Sequence, residues 1–156
     1  LPKPGPPSVH PVDPVTPPVT VAWRGVFDNS ELNALHARAF GHRVYDGTDW
    51  DWKSLLDRHS LGWVTARREE RLVGFVNVLW DGLIHAWIQD VMVEDDSRRV
   101  GVGTQMVATA GRQAGLAGCE WLHVDFDDEH RPFYIDACGF TPTQGGLIAL
   151  RSLDPG

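Results

Sequence analysis

The sequence predicts an α/β domain built on a mixed central sheet of six to seven strands with helices on both faces. Three observations lead to that class. Strand-like runs that alternate apolar and polar residues are interleaved with helical stretches having apolar residues three and four apart. A charged turn, Arg68-Glu69-Glu70-Arg71, separates two strand-like runs and implies an antiparallel hairpin. Further on, a strand, a helix and another strand span residues 84–126, and such a unit implies a parallel pair.

In order, Val19, Val21 and Trp23 alternate with Thr20, Ala22 and Arg24 as a half-buried strand. Asn29-Ser30-Glu31 offers a helix start, Leu32, Leu35, His36 and Ala39 share one face, and Gly41 stops the helix. A second helix starts at Thr48 or Asp49 and carries Trp52, Leu55 and Leu56. Strands follow at 62–67, 72–80 and 84–93, a helix at 104–117 with Met106, Val107 and Ala110 inward, and a strand at 121–126. A short helix over 131–138 and a last strand over 147–150 complete the order β-α-α-β-β-β-α-β-α-β.

Ahead of this domain, eight of the 11 prolines precede Val19. Proline lacks a backbone donor and favours polyproline II, so residues 1–18 are expected to be an arm and residues 19–156 the folded domain. Across the 156 residues, 42% apolar content is enough to fill a core. With 14 basic and 21 acidic residues the net charge is −7, the wrong sign for a protein that neutralises phosphates along a nucleic acid. No apolar run approaches the roughly 20 residues needed to cross a bilayer. The two cysteines, Cys119 and Cys138, build no disulfide framework, and no basic-then-apolar leader opens the sequence, so a cytoplasmic location is expected.

Arg98-x-x-Gly101-x-Gly103 lies between a strand and a helix. Unpaired amides at a helix N-terminus make an anion site there, and glycines let a phosphate approach the backbone. A P-loop would need Gly-Lys-Ser/Thr, but Thr104 follows Gly103 directly. A dinucleotide fingerprint would need a third glycine where Met106 stands.

Val91-Met92-Val93 followed by Arg98-x-x-Gly101-x-Gly103, with Phe133-Tyr134 and Gly139-Phe140 downstream, resembles the GNAT superfamily of acyl-CoA-dependent N-acyltransferases over residues 19–150. The resemblance implies acetyl-CoA or another acyl-CoA as co-substrate. It also implies pantetheine pairing along Val91, Met92 and Val93, and pyrophosphate held by the amides of Arg99, Val100, Gly101, Val102, Gly103 and Thr104, with Arg98 adding charge. Arg131, at the start of the short helix, is within reach of the phosphates. Homodimers are common in the family, which makes a homodimer compatible with this chain.

Catalytic residues follow the family pattern less closely. The strand positions where family members often carry a base hold Trp87 and Gln89, leaving Asp90 as the carboxylate that holds a cationic amine or accepts its proton. The competing role for Asp90 is to cap a bulge. The tyrosine expected four residues before the Gly of Gly-Phe is Ile135 here, and Tyr134, one place earlier, is the candidate general acid unless it only packs. His85, Trp87, His123 and Asp125 are expected around the acceptor pocket. His123, Asp125 and His130 have the residue types of a facial iron triad, but His130 follows within the same segment, and no metal is expected. Trp23, Trp63 and Trp121 are expected in the core, and Trp50, Trp52, Trp80 and Trp87 near the acceptor.

The expected activity is therefore acetyl transfer to a small-molecule primary amine, the acidic surroundings favouring a cationic one, by direct attack in a ternary complex. Neither cysteine has a sequence-local relay to make it a nucleophile. The competing expectation is an acyl-CoA-binding module of the same fold without transferase chemistry.

Overall fold

The first described strand starts at Val19, directly after Pro18. The computed structural model describes residues 15–98 and 100–152, so Arg99 and most of the expected arm lie outside the described residues. Strand β1 (Val19–Trp23) leads to helices α1 (Asn29–Phe40) and α2 (Trp52–His59), strands β2 (Ser60–Arg68), β3 (Arg71–Trp80) and β4 (His85–Val93), helix α3 (Val102–Leu116) and strand β5 (Trp121–His123).

The sheet runs β1-β2-β3-β4-β5, antiparallel throughout except for the β4–β5 pair. Glu69 and Glu70 make the expected hairpin turn between the paired Arg68 and Arg71. At the next turn the Asp81 carboxylate accepts the amides of Leu83 (2.7 Å) and His85 (3.1 Å). The β4–β5 crossover carries α3, the connection that a parallel pair requires.

Both helix starts and stops follow local chemistry. Glu31 accepts the Asp28 amide at 2.8 Å and pairs through both oxygens with Arg67, which ties the start of α1 to β2. Gly41 ends α1 in the left-handed conformation (φ 69°), where glycine avoids the Cβ penalty. The Asp51 carboxylate caps α2 by accepting the Ser54 amide at 3.2 Å.

Helices cover both faces, as expected. Leu32 and Leu35 of α1 and Trp52 and Leu56 of α2 pack on Leu72, Phe75 and Met92. On the opposite face Met106, Val107, Ala110 and Ala114 of α3 pack on Val64, Val73, Val76, Val78 and Ile88. No helix among the described residues is long and apolar enough to cross a membrane.

Three expectations are corrected. The sheet has five strands among the described residues, not six or seven, because residues 147–149 form no strand and Leu147, Ile148 and Leu150 are exposed. Trp121 is 61% exposed rather than core, since it lies on the outer edge strand. Trp52, expected near the acceptor, is fully buried; its indole N–H donates to Asn33 Oδ1 at 2.8 Å, and the Asn33 amide donates to the Trp50 carbonyl at 3.1 Å. Replacing Trp52 with Phe removes the donor and leaves a buried carbonyl oxygen unpaired, so urea unfolding should show a loss of about 1–3 kcal/mol.

Candidate functional site

Strand β5 pairs with β4 only through His85↔Trp121, Ala86↔Leu122 and Trp87↔His123. Beyond Trp87 the two chains diverge, and this is why the strand expected over 121–126 ends at His123. Val124, Asp125 and Phe126 instead face Gln89, Asp90 and Val91 across an open groove of about 1740 Å³. The β4 edge from Gln89 to Val93 therefore lacks a strand partner on this side, leaving backbone groups for water or a ligand. The segment expected as a last strand also borders the groove, through Thr143, Gly145, Gly146 and Leu147.

A bulge sets this divergence. Register passes from Asn77↔Gln89 to Phe75↔Met92, three steps on β4 against two on β3. Asp90 sits at the extra position with φ 52°, a left-handed conformation that Asp tolerates better than most residues. Its carboxylate bonds no backbone amide of the bulge. Instead Oδ1 lies 3.7 Å from His36 Nε2 of α1, with the side chain 27% exposed, and burial raises its pKa above the usual carboxylate range.

After β4, the Glu94 carboxylate fastens the loop to two neighbouring elements. Arg38 of α1 donates to it at 2.6 Å and Arg71 of β3 pairs with it at 3.0 Å, while the Glu94 amide donates to the Val73 carbonyl at 2.8 Å. Arg71 also reaches Asp96 at 2.8 Å. Arg98 is exposed and lines the groove; its Nε donates to the Val93 carbonyl at 3.0 Å and its guanidinium pairs with Asp95 at 3.0 Å.

Gly101 precedes α3 with φ 81°, a conformation that favours glycine. The first helical bond runs from Gln105 N–H to the Gly101 carbonyl at 3.0 Å, so the amides of Val102, Gly103 and Thr104 come before it and need an external acceptor. Gly101, Gly103 and Thr104 line the groove; Val102 is buried beneath it, and Val100 is exposed. Gly103 also has a packing role. A Cβ there would meet Phe133 ring carbons at 3.0 Å.

The short helix expected over 131–138 is a π-helical turn, Pro132–Ala137. Its five-residue hydrogen bond, Cys138 N–H to the Phe133 carbonyl at 2.9 Å, takes up one residue more than an α-turn. That extra residue lies between Tyr134 and Gly139, and Tyr134 rather than Ile135 lines the groove. Tyr134 is 9% exposed and stacks on Phe126 with centroids 5.0 Å apart. Burial pushes its pKa up to about 12, and its hydroxyl makes no hydrogen bond among the described residues. Arg131 lines the same end of the groove.

The expected acceptor residues divide. Trp87 and Asp125 line the groove, whereas His85 and His123 hydrogen-bond to each other at 2.8 Å and do not line it. Trp87 stacks on His123 at 5.0 Å. The facial triad is not assembled: among the described residues the only three metal-capable groups that come together are the exposed Asp127, Glu129 and His130. Burial raises both cysteine thiols, Cys119 and Cys138, which suits neither to nucleophilic attack.

Sequence reasoning placed His36 on the inner face of α1 but missed its surroundings. His36 Nδ1 lies 2.6 Å from His42 Nε2, and its ring contacts Phe40, Trp50 and Trp52 at centroid distances of 4.7, 5.7 and 5.3 Å. The signal was an imidazole at an inward helical position, but its partner on β4 is more than 50 residues away.

Comparison with known proteins agrees with this geometry. At the sequence level no curated protein matches the chain. An acetyltransferase from Trypanosoma brucei superposes with a TM-score of 0.71 at 16% identity, covering 85% of this chain and 99% of the other. An aminoglycoside N-acetyltransferase in complex with CoA gives a TM-score of 0.70 at 17% identity, covering 88% and 97%. Glucosamine-6-phosphate N-acetyltransferase from Arabidopsis thaliana gives 0.69 at 14%, covering 85% and 97%. These likenesses concern the fold. Residues 29–140 match the family model described as Acetyltransferase (GNAT) family, and with the diverging β4–β5 pair and the open amides at the start of α3, the chain belongs to that family.

Proposed function

We propose that this acetyltransferase moves an acetyl group from acetyl-CoA to a small-molecule primary amine by direct attack in a ternary complex. The observation that carries this reading is the groove itself. It joins a β4 edge that has no strand partner beyond Trp87, open amides at the start of α3, a neutral phenol and a carboxylate. The helix N-terminus and its amides suit the anionic pyrophosphate. The β4 edge suits the amide-rich pantetheine arm.

Chemically, the amine must lose a proton before it attacks the thioester carbonyl. In this reading Asp90, the β4 carboxylate that lines the groove, accepts it. As the C–N bond forms and the C–S bond breaks, the departing thiolate needs a proton, and Tyr134 is the donor facing the groove. A phenol pushed up to about 12 stays protonated across the neutral range, which suits an acid and not a base. Asp90, Asp125 and Asp127 give the acceptor side local negative charge, which favours a cationic amine.

Release of free thiol from acetyl-CoA in the presence of a library of primary amines tests this reading. Release with at least one cationic amine is expected, and CoA binding with silence across the library would favour a binding module instead. Replacing Tyr134 with Phe should lower turnover by about 100-fold or more without changing the KM for acetyl-CoA. Full turnover across the accessible pH range would remove Tyr134 from the reaction.

Replacing Asp90 with Asn should lower turnover while raising the Tm. The sign follows from the raised carboxyl pKa: folding favours the neutral acid, so the wild-type protein loses relative stability as pH rises through the folded-state pKa. The amide escapes that loss and also tolerates positive φ. Thermal unfolding at several pH values should therefore show the Tm gain of the variant growing as pH rises from the ordinary carboxyl range through the raised folded-state pKa and levelling off above it; a gain that is the same below and above that window would contradict the desolvation of Asp90.

A further inference from the structure

The hydrogen bonds around His36 fix its tautomer. The Arg43 carbonyl can only accept, so the His42 Nδ1 beside it carries the hydrogen of neutral His42. His42 Nε2 is then the acceptor, and His36 Nδ1, 2.6 Å away, must donate to it. Neutral His36 therefore presents a bare Nε2 toward Asp90 Oδ1 at 3.7 Å. Two lone pairs face each other there. One proton placed between them turns the repulsion into attraction.

We propose that His36 is a positioning residue for the proton acceptor of this site: Asp90 and His36 Nε2, at ion-pair distance, form a charge-coupled pair that carries a single proton, delivered by the substrate ammonium. This rests on the acetyl-transfer reading for the source of the proton. The ammonium gives its proton to the Asp90 carboxylate and keeps the N–H bonding pair as the lone pair that attacks the thioester. The proton is then shared with His36 Nε2, while the thiolate takes a proton from Tyr134 and the second proton that the nitrogen sheds as the amide forms restores the phenol.

The groups facing His36 are few. From the loop after α1 come His42 and, beyond it, Arg43, whose guanidinium pairs with Asp49 at 2.9 Å and lies over the Tyr45 ring. Tyr45 itself stacks on His42 at 4.6 Å. From β4 comes Asp90 alone, and α2 contributes the Trp52 ring. Arg38, also on α1, is committed to Glu94. Burial raises Asp90, and burial together with His42 lowers His36, so the two proton affinities approach each other as a shared proton requires.

Long-range nitrogen–proton correlation of the imidazoles against pH, in the wild-type protein and in Asp90→Asn, tests the sharing without any amine substrate. The expected result is a neutral His36 in the Nδ1–H tautomer whose titration midpoint falls by about one unit or more in Asp90→Asn, a tenfold loss in proton affinity. An Nε2–H tautomer, or the same midpoint in both proteins, would overturn the proposal. In thiol release with an active amine, His36→Gln should move the acid limb of kcat to lower pH at constant KM for acetyl-CoA. An unmoved limb would leave His36 a packing residue. Linked titrations with no transfer to any amine would overturn the acetyl-transfer reading and the delivery of the proton by substrate, while the shared proton itself would stand.

Discussion

The separation of β4 from β5 is the constraint on which the rest of the site depends. Backbone N–H and C=O groups inside a sheet are normally paired, and among the described residues opening the pair after Trp87 and His123 leaves the rest of the β4 edge without a strand partner, only the Val93 carbonyl being met by Arg98. Such an opening persists only if both walls are held apart. The bulge at Asp90 redirects β4, and the Glu94 carboxylate binds the end of that strand to α1 and β3. On the other wall, Phe126 stacks on Tyr134, and Phe133 packs against Gly103 at the start of α3. The groove is thus built from the same contacts that hold the loop and the π-turn in place.

Charge is divided along the groove to match the two ends of the proposed reaction. The chain as a whole is acidic, with a net charge of −7, yet its cofactor end carries the partial positive charge of a helix N-terminus. Arg98, which pairs with Asp95 and the Val93 carbonyl, lines the groove together with Gly101, Gly103 and Thr104 at the start of α3. At the opposite end, Asp90, at the positive-φ position of the bulge, joins the groove to the inner face of α1 through its 3.7 Å contact with His36.

Much of this was legible in the sequence because it rests on local chemistry. The start of α1 at Asn29-Ser30-Glu31, the hairpin at Glu69-Glu70, the glycine-containing turn before α3 and the inward face of α3 each follow from residues within a few positions of one another. The divergence of β4 and β5 was legible only through the family motif. The errors fall where distant partners decide. Trp121 alternates like a core strand residue but belongs to an edge, and residues 147–150 have strand composition without a strand to pair with. The one-residue offset of Tyr134 could not be resolved by counting, because an α-turn and a π-turn differ by the very residue in question. His85 and His123 look like pocket residues in a linear reading; paired with each other, they satisfy one another outside the groove.

Amide hydrogen exchange with and without acetyl-CoA tests the central claim most directly. The unpaired edge of β4 at Val91 and Val93 and the amides of Val102, Gly103 and Thr104 should exchange readily in the free protein and gain protection together when acetyl-CoA is added. Protection elsewhere with these amides unchanged, or protection already complete without ligand, would contradict an open groove whose backbone receives the cofactor.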